Sequence, residues 1–318
     1  MSADWTRRPE GGGRTAVKLI RGIALRCGRA PARLLLVPIT LYFLLRRGPE
    51  RRAARAYLGR VLGRPARLHE VARLFHRFAG SILDRVYLLG EQFRRFEVAT
   101  RGLDALHAAM DRGRGVLLLG SHLGSFESLR VLGLQRPEVS VRPVIDLGQN
   151  AAVTELLAAL HPGLAASVID AGQDGTAVVL AIKQALDEQA LVTLLADRAR
   201  PGEAAQRADF LGAPAPFPVG PWLIAAALKV PVVLCFGLYR GGKRYELHFE
   251  HFADELAIER RGREAALAGI LARYAARLEH YTRYEPWNWF NFYDFWQSDS
   301  LAGGAAGVPA GERVVRRA

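Results

Sequence analysis

Two residues of this chain are spaced for proton transfer. His122 and Glu127 stand five apart in GVLLLGSHLGSFES, residues 115–128. A neutral imidazole takes a proton from a hydroxyl near pH 7, and a carboxylate fixes its tautomer and steadies the imidazolium that forms. On one continuous helix a spacing of five sets side chains about 140° apart. The pair therefore meets only if His122 lies in a turn and Glu127 in the first turn of a following helix. Gly120 and Gly124 permit such a turn. The structural alternative is a turn histidine bonded to backbone, with Glu127 complementing a helix dipole. Ser121 and Ser125 suggest a competing enzyme class, a serine hydrolase. Here, however, the glycines bracket His122, so a base holds the position that a nucleophile elbow gives to serine.

The elements around this stretch must carry His122 to an accessible place. Val116–Leu119 is a short apolar run bounded by glycines, which predicts a buried strand. The helical spacing of Phe126, Leu129, Val131 and Leu132 predicts a helix behind the turn. His122 then sits at the carboxyl end of a strand, in the crevice where open α/β sheets bind ligands. Further strands are predicted at 96–98, 139–144, 167–170, 190–195, 230–236 and 245–252. Helices are predicted between most of them, at 102–112, 125–135, 151–160, 176–187 and 219–229, with a last one at 263–281. This rhythm predicts an α/β fold with a largely parallel mixed sheet flanked by helices. Before it, residues 51–62 and 68–96 are predicted helical. In the second, Val71, Leu74, Phe75, Phe78, Ile82 and Val86 form one stripe.

Of the 318 residues 50% are apolar and 24% charged, enough for one large domain with additions. The formal net charge is +13, and residues 1–64 hold 15 basic residues against 3 acidic ones. The excess is thus concentrated at the N-terminus, which argues against a nucleic-acid-binding core. A basic N-terminal patch suits anionic lipid head groups or an acidic carrier protein. Arginine supplies 40 of the 44 basic residues, so a compositional bias toward Arg is the plainer account of part of this charge. Residues 34–45, LLLVPITLYFLL, form an uncharged apolar run interrupted by Pro38 and flanked by arginines on both sides. A spanning helix needs about 20 such residues. The run reads as an interfacial or re-entrant anchor or equally as a buried core helix, or as a single span if its helix reaches back to Ile23. The expected organisation is a basic N-terminal segment with this anchor helix (1–52), a catalytic domain (53–298) and an unstructured tail (299–318). The first 15 residues show no signal peptide.

Cys27 and Cys235 make no disulfide framework or zinc pattern. His248 and His251 lie three apart in a predicted strand and face opposite sides, so no metal site is expected. Residues 286–296, PWNWFNFYDFW, hold seven aromatics and three of the five tryptophans. Such a segment fits an apolar groove or a membrane interface, or equally a plug packed on the sheet.

The strand ending in Gly, then His, four residues and an acid, resembles the first motif of the lysophospholipid acyltransferase superfamily. Within that superfamily the wording GVLLLGSHLGSFE resembles the branch of bacterial lipid A biosynthesis (lauroyl/myristoyl) acyltransferases, and the resemblance runs from about Ala30 to Trp296. LLADRAR at 194–200 and FLGAPAPFPVGP at 210–221 follow in the family's order. The resemblance implies a glycerolipid acyltransferase-like fold with an N-terminal membrane-associating helical region. It implies transfer of a fatty acyl group from acyl carrier protein or acyl-CoA to a hydroxyl of a lipid A-type or other glycolipid. An aminolipid or a polyene lipid is the alternative acceptor. His122 would be the general base and Glu127 its orienting acid, with no cofactor. Backbone N–H groups near Gly120–Gly124 would receive the oxyanion. Ser121, Gly124, Asp197 and Arg198 would lie at the substrate, Arg198 holding a phosphate or carboxylate. Arg142, in an Arg–Pro pair, would touch the head group. Ala213 and Pro214 follow Gly212 where some relatives carry a charge, which leaves Glu127 as the acid expected to serve His122. The place of work would be the cytoplasmic face of the inner membrane, with peripheral or monotopic attachment to its anionic surface.

Overall fold

The computed structural model describes residues 22–24, 26–90, 92–125, 139–148, 151–200 and 202–296. The expected helix at 125–135, Glu127 and the expected tail at 299–318 lie outside these residues.

Residues 22–24 and 26–27 are helical, and four helices follow among the described residues: α1 (Arg29–Leu34), α2 (Leu36–Arg46), α3 (Gly48–Leu62) and α4 (Leu68–Leu89). The apolar run at 34–45 thus becomes the end of α1 and most of α2. Gly28, at φ 85°, breaks the chain before α1. The eleven residues of α2 span only about 16 Å at 1.5 Å per residue. Among the described residues no helix is long and apolar enough to cross a membrane. One side of α2 packs on α4, where Leu36 is buried and Phe43 meets Phe75 at 5.9 Å. The other side leaves Val37, Leu41, Tyr42 and Leu45 exposed, with Leu34 beside them. Helix α3 runs unbroken across residue 52, and its Ala54, Tyr57, Leu58 and Val61 enter the main core. A buried Arg29–Asp84 pair, with both bonds at 2.7 Å, ties α1 to α4, and Tyr245 donates a third bond to Asp84 at 2.9 Å.

Next come β1 (Glu97–Arg101), α5 (Leu103–Met110), β2 (Val116–Gly120), β3 (Val141–Ile145), α6 (Ala151–Leu160), α7 (Pro162–Ala166), β4 (Ile169–Asp170), α8 (Gly175–Asp187) and β5 (Leu191–Leu195). Then follow β6 (Ala205–Phe210), β7 (Ala213–Pro218), α9 (Gly220–Leu228), β8 (Val232–Gly241), β9 (Arg244–Ala253) and α10 (Arg263–Tyr284). Seven strands form one sheet in the order β1-β9-β8-β2-β5-β3-β4. Every neighbouring pair is parallel except the β8–β9 hairpin. The fold is therefore the α/β class expected: a mostly parallel sheet flanked by helices. β2 is buried along its whole length, as a central parallel strand covered on both faces must be.

The Pro-rich stretch after Asp197 forms a separate hairpin, β6–β7. Leu211 and Gly212 connect its strands, both at positive φ (50° and 78°), as a two-residue turn matched to strand twist requires. Pro214, Pro216 and Pro218 alternate along β7, so their missing N–H groups fall where an antiparallel pair makes no ladder bond. Period-two proline is thus compatible with this strand, although proline at other spacings would break it.

Candidate active site

The site follows from the register of two parallel strands. Gly120 at the end of β2 pairs with Leu195 at the end of β5, and the Ala196 amide donates to the Gly120 carbonyl at 3.0 Å. His122 and Asp197 each lie two residues past those partners. Equal overrun past a common sheet edge brings them face to face. The His122 ring Nδ1 lies 2.8 Å from Asp197 Oδ1, and the His122 backbone amide donates to Oδ2 at 3.1 Å. A third donor reaches the carboxylate, the Trp289 indole N–H to Oδ2 at 3.1 Å.

The carboxylate has no exposed surface, whereas the His122 side chain keeps 38% of its own open. Burial alone would raise the Asp197 pKa. The His122 partner, the Arg198 charge and the indole N–H overcome it and hold the acid well below the usual carboxylate range. An ionised Asp197 accepts from Nδ1–H and leaves Nε2 as the basic nitrogen of His122. The imidazole pKa is itself lowered, chiefly by burial and then by Arg198 and Arg85, with Asp197 pulling the other way. His122 is thus neutral at pH 7, the form a general base needs.

The turn is fixed from the C-terminal side. Residues 288–290 lie antiparallel to residues 122–124, with a bridge between Leu123 and Trp289. The Gly124 amide donates to the Asn288 carbonyl at 2.7 Å, and the Phe290 amide to the His122 carbonyl at 3.1 Å. The Ser125 amide donates to the Gly237 carbonyl on β8 at 2.7 Å. Gly124 stands at φ 75°, where an added Cβ would fall 1.8 Å from that same carbonyl oxygen. No residue with a side chain fits here. Tyr274 on α10 closes the base of the turn, its hydroxyl donating to the Gly120 carbonyl at 3.0 Å.

The expected site residues are placed as follows. Asp197, expected at the substrate, is bonded to His122, while Glu127, the acid expected beside that ring, lies outside the described residues. The amides of His122 and Gly124 are already bonded to Asp197 and Asn288, which leaves those of Ser121 and Leu123 as the oxyanion donors expected in this turn. Arg198, expected to hold a phosphate or carboxylate, lies largely inside the protein. Its Nη2 donates to the Phe290 carbonyl at 2.6 Å, its guanidinium lies 5.7 Å from the centre of the Tyr293 ring, and it is only 13% exposed. Arg142 lies toward the other end of the sheet. Its partner across β5 is Val192, level with Leu117 and so three residues before Gly120, about 10 Å at strand rise. There it pairs with Glu188 at 3.2 Å. Ser121 and Ser125 are buried, at 4% and 2% exposure, with little surface to offer a substrate as nucleophiles. His248 and His251 pair with Glu246 and Asp254.

The sequence reading missed Trp289 as a contact of the site. Its tryptophan-rich segment stood out, but composition does not tell which ring turns its N–H inward. The model of a family described as bacterial lipid A biosynthesis acyltransferase matches residues 70–298. No curated protein matches the chain.

Proposed function

The chain belongs to the bacterial lipid A biosynthesis acyltransferase family, and on that premise we propose that it acylates a membrane lipid with His122 as general base. The donor is a fatty acyl thioester of acyl carrier protein or coenzyme A, and the acceptor a hydroxyl of a lipid A-type or other glycolipid. The observation that carries this reading is the bond from Nδ1 to a buried, ionised Asp197, beneath a ring that remains partly open. Nε2 takes the hydroxyl proton as the oxygen attacks the thioester carbonyl. The tetrahedral intermediate collapses, the C–S bond breaks, and the proton passes to the departing thiolate. Asp197 stabilises the imidazolium between these steps, and no covalent acyl-enzyme forms. Glu127 remains a candidate acid from the resemblance alone.

The exposed face of α1 and α2, with Leu34, Val37, Leu41, Tyr42 and Leu45, supports attachment to a membrane surface. Arg33, Arg46 and Arg47 border it, suiting anionic lipid. The work would take place on the inner membrane, at its cytoplasmic face.

The test is acyl transfer by the purified protein, with labelled acyl carrier protein or acyl-CoA and a membrane lipid extract. Wild type transfers label to lipid. His122→Ala loses on the order of 10²–10⁴-fold, the usual contribution of a positioned proton acceptor. A fully active His122→Ala protein of native fold would remove the proposed base.

A further inference from the structure

Trp289 lies at the centre of the C-terminal aromatic segment, fully buried. Its ring is held edge-on by Tyr57 at 5.0 Å, Phe210 at 5.1 Å and Phe295 at 4.9 Å. Its backbone neighbours are clamped as well. Asn288 exchanges two side-chain bonds with the Tyr239 backbone, at 2.6 and 3.0 Å, while its carbonyl and the Phe290 amide bracket the His122 turn. A large ring held so tightly has one polar atom, and that atom donates to Asp197 Oδ2 at 3.1 Å. Packing alone would be served by a phenylalanine ring, as at Phe210 and Phe295 beside it. An indole placed here adds a single N–H, directed at the acid that orients the base.

We propose that Trp289 is a positioning residue of the acyl transfer, sharing the charge of Asp197 and so setting the basicity of His122. The proposal rests on the His122–Asp197 reading above. The indole N–H takes up part of the carboxylate's charge. Without it, Asp197 attracts the imidazolium more strongly, and the His122 pKa rises. The other charged or titratable groups acting on the pair are Arg198 beside Asp197, Arg85 on α4, Tyr274 on α10 and Tyr293 in the C-terminal segment. The substitution Trp289→Phe leaves all of these side chains in the chain.

The experiment compares the pH dependence of kcat/KM for wild type, Trp289→Phe and Phe295→Leu, using the acyl-transfer assay. Trp289→Phe should lose roughly tenfold in kcat, the order expected for one donor to a charged group, with KM little changed. Its acid limb should move upward by about half a pH unit or more, because the imidazolium is held longer. Phe295→Leu loosens the same aromatic cluster without touching Asp197 and should keep the wild-type limb. An unmoved limb in Trp289→Phe would overturn the proposal, as would an equal shift in Phe295→Leu. If Trp289→Phe fails to fold, indole-¹⁵N-labelled wild type decides. One of its five indole N–H signals should titrate with the kinetic acid limb and cease to do so in His122→Ala. No such signal overturns the proposal. An active His122→Ala would instead sink the underlying dyad, and the two failures are thereby distinguished.

Discussion

Replacing Asp197 by asparagine tests the site most directly, because the structure dictates how the amide must sit. Among the described residues Oδ2 accepts two N–H groups, the His122 amide and the Trp289 indole, whereas Oδ1 meets the ring Nδ1. In Asp197→Asn one oxygen becomes an NH2. Placing that NH2 at the Oδ2 position would leave two buried donors facing a donor, at about 1–3 kcal/mol each. The amide oxygen therefore takes the Oδ2 position and the NH2 faces Nδ1. Nδ1 must then accept, so the ring proton moves to Nε2 and His122 can no longer take a proton from the substrate. Recovering the productive tautomer costs the two unmet donors, about 2–6 kcal/mol, or very roughly 30-fold to 10⁴-fold in rate at 1.36 kcal/mol per decade. The size is close to the ~10⁴-fold loss on the same change in a serine-protease triad. The measurement is kcat for acyl transfer by the purified variant, with circular dichroism to establish the native fold. Raising the pH should not restore it, since the defect is a tautomer and not a charge. A variant that keeps more than a tenth of wild-type kcat, beside an inactive His122→Ala, would refute the assignment of Asp197 as the orienting acid.

Two further outcomes follow from the same geometry. Gly124→Ala drives a Cβ to 1.8 Å from the Gly237 carbonyl at a left-handed backbone position. It should destabilise the fold by roughly 3–5 kcal/mol in urea denaturation and abolish transfer, and a near-native midpoint would contradict the placement of the turn. Stability should also fall in mild acid. The folded protein holds the His122 pKa below 6.5, so His122's contribution is present in full above that pH and lost as pH falls through the folded value. Asp197, held low, adds its own loss only under stronger acid. Thermal melts between pH 7.5 and 5.5 should show a steeper decline for wild type than for His122→Gln, and parallel curves would refute it.

The sheet was legible because its strands are short apolar runs punctuated by glycine, and helical periodicity separates them. The hairpin at 205–218 was not, because proline suppresses strand propensity and only the pairing register shows that alternate prolines are tolerated. His122 stood out by its position after β2. Its partner did not, because sequence proximity favours Glu127, and 75 residues separate His122 from Asp197. A signal was nevertheless present in the sequence: LLLGSH and TLLAD each place a titratable residue two or three positions past an apolar strand. If those strands are adjacent and parallel in register, the pair must meet. Adjacency was the missing fact, because strand order β2-β5 is set by the packing of the whole sheet.

Arg198 illustrates how a residue's type predicts its chemistry without fixing its partner. A guanidinium next to an acid suggests anion recognition, and the sequence offers no reason to prefer a carbonyl. In the fold its Nη2 is bound to Phe290, and its charge lies near Asp197 and His122. There it favours the carboxylate and disfavours the imidazolium. Asp197 and Arg198 therefore act on His122 in opposite directions. The acid fixes which nitrogen is basic, while the arginine and burial keep that nitrogen unprotonated. A base assembled from Asp197 alone would bind a proton more tightly and be occupied at a higher pH. Because Arg198 is held by the backbone of Phe290, that balance depends on the C-terminal segment being seated. The turn, the acid, the arginine and the indole thus form one bonded unit, and disturbing any member should appear at the imidazole.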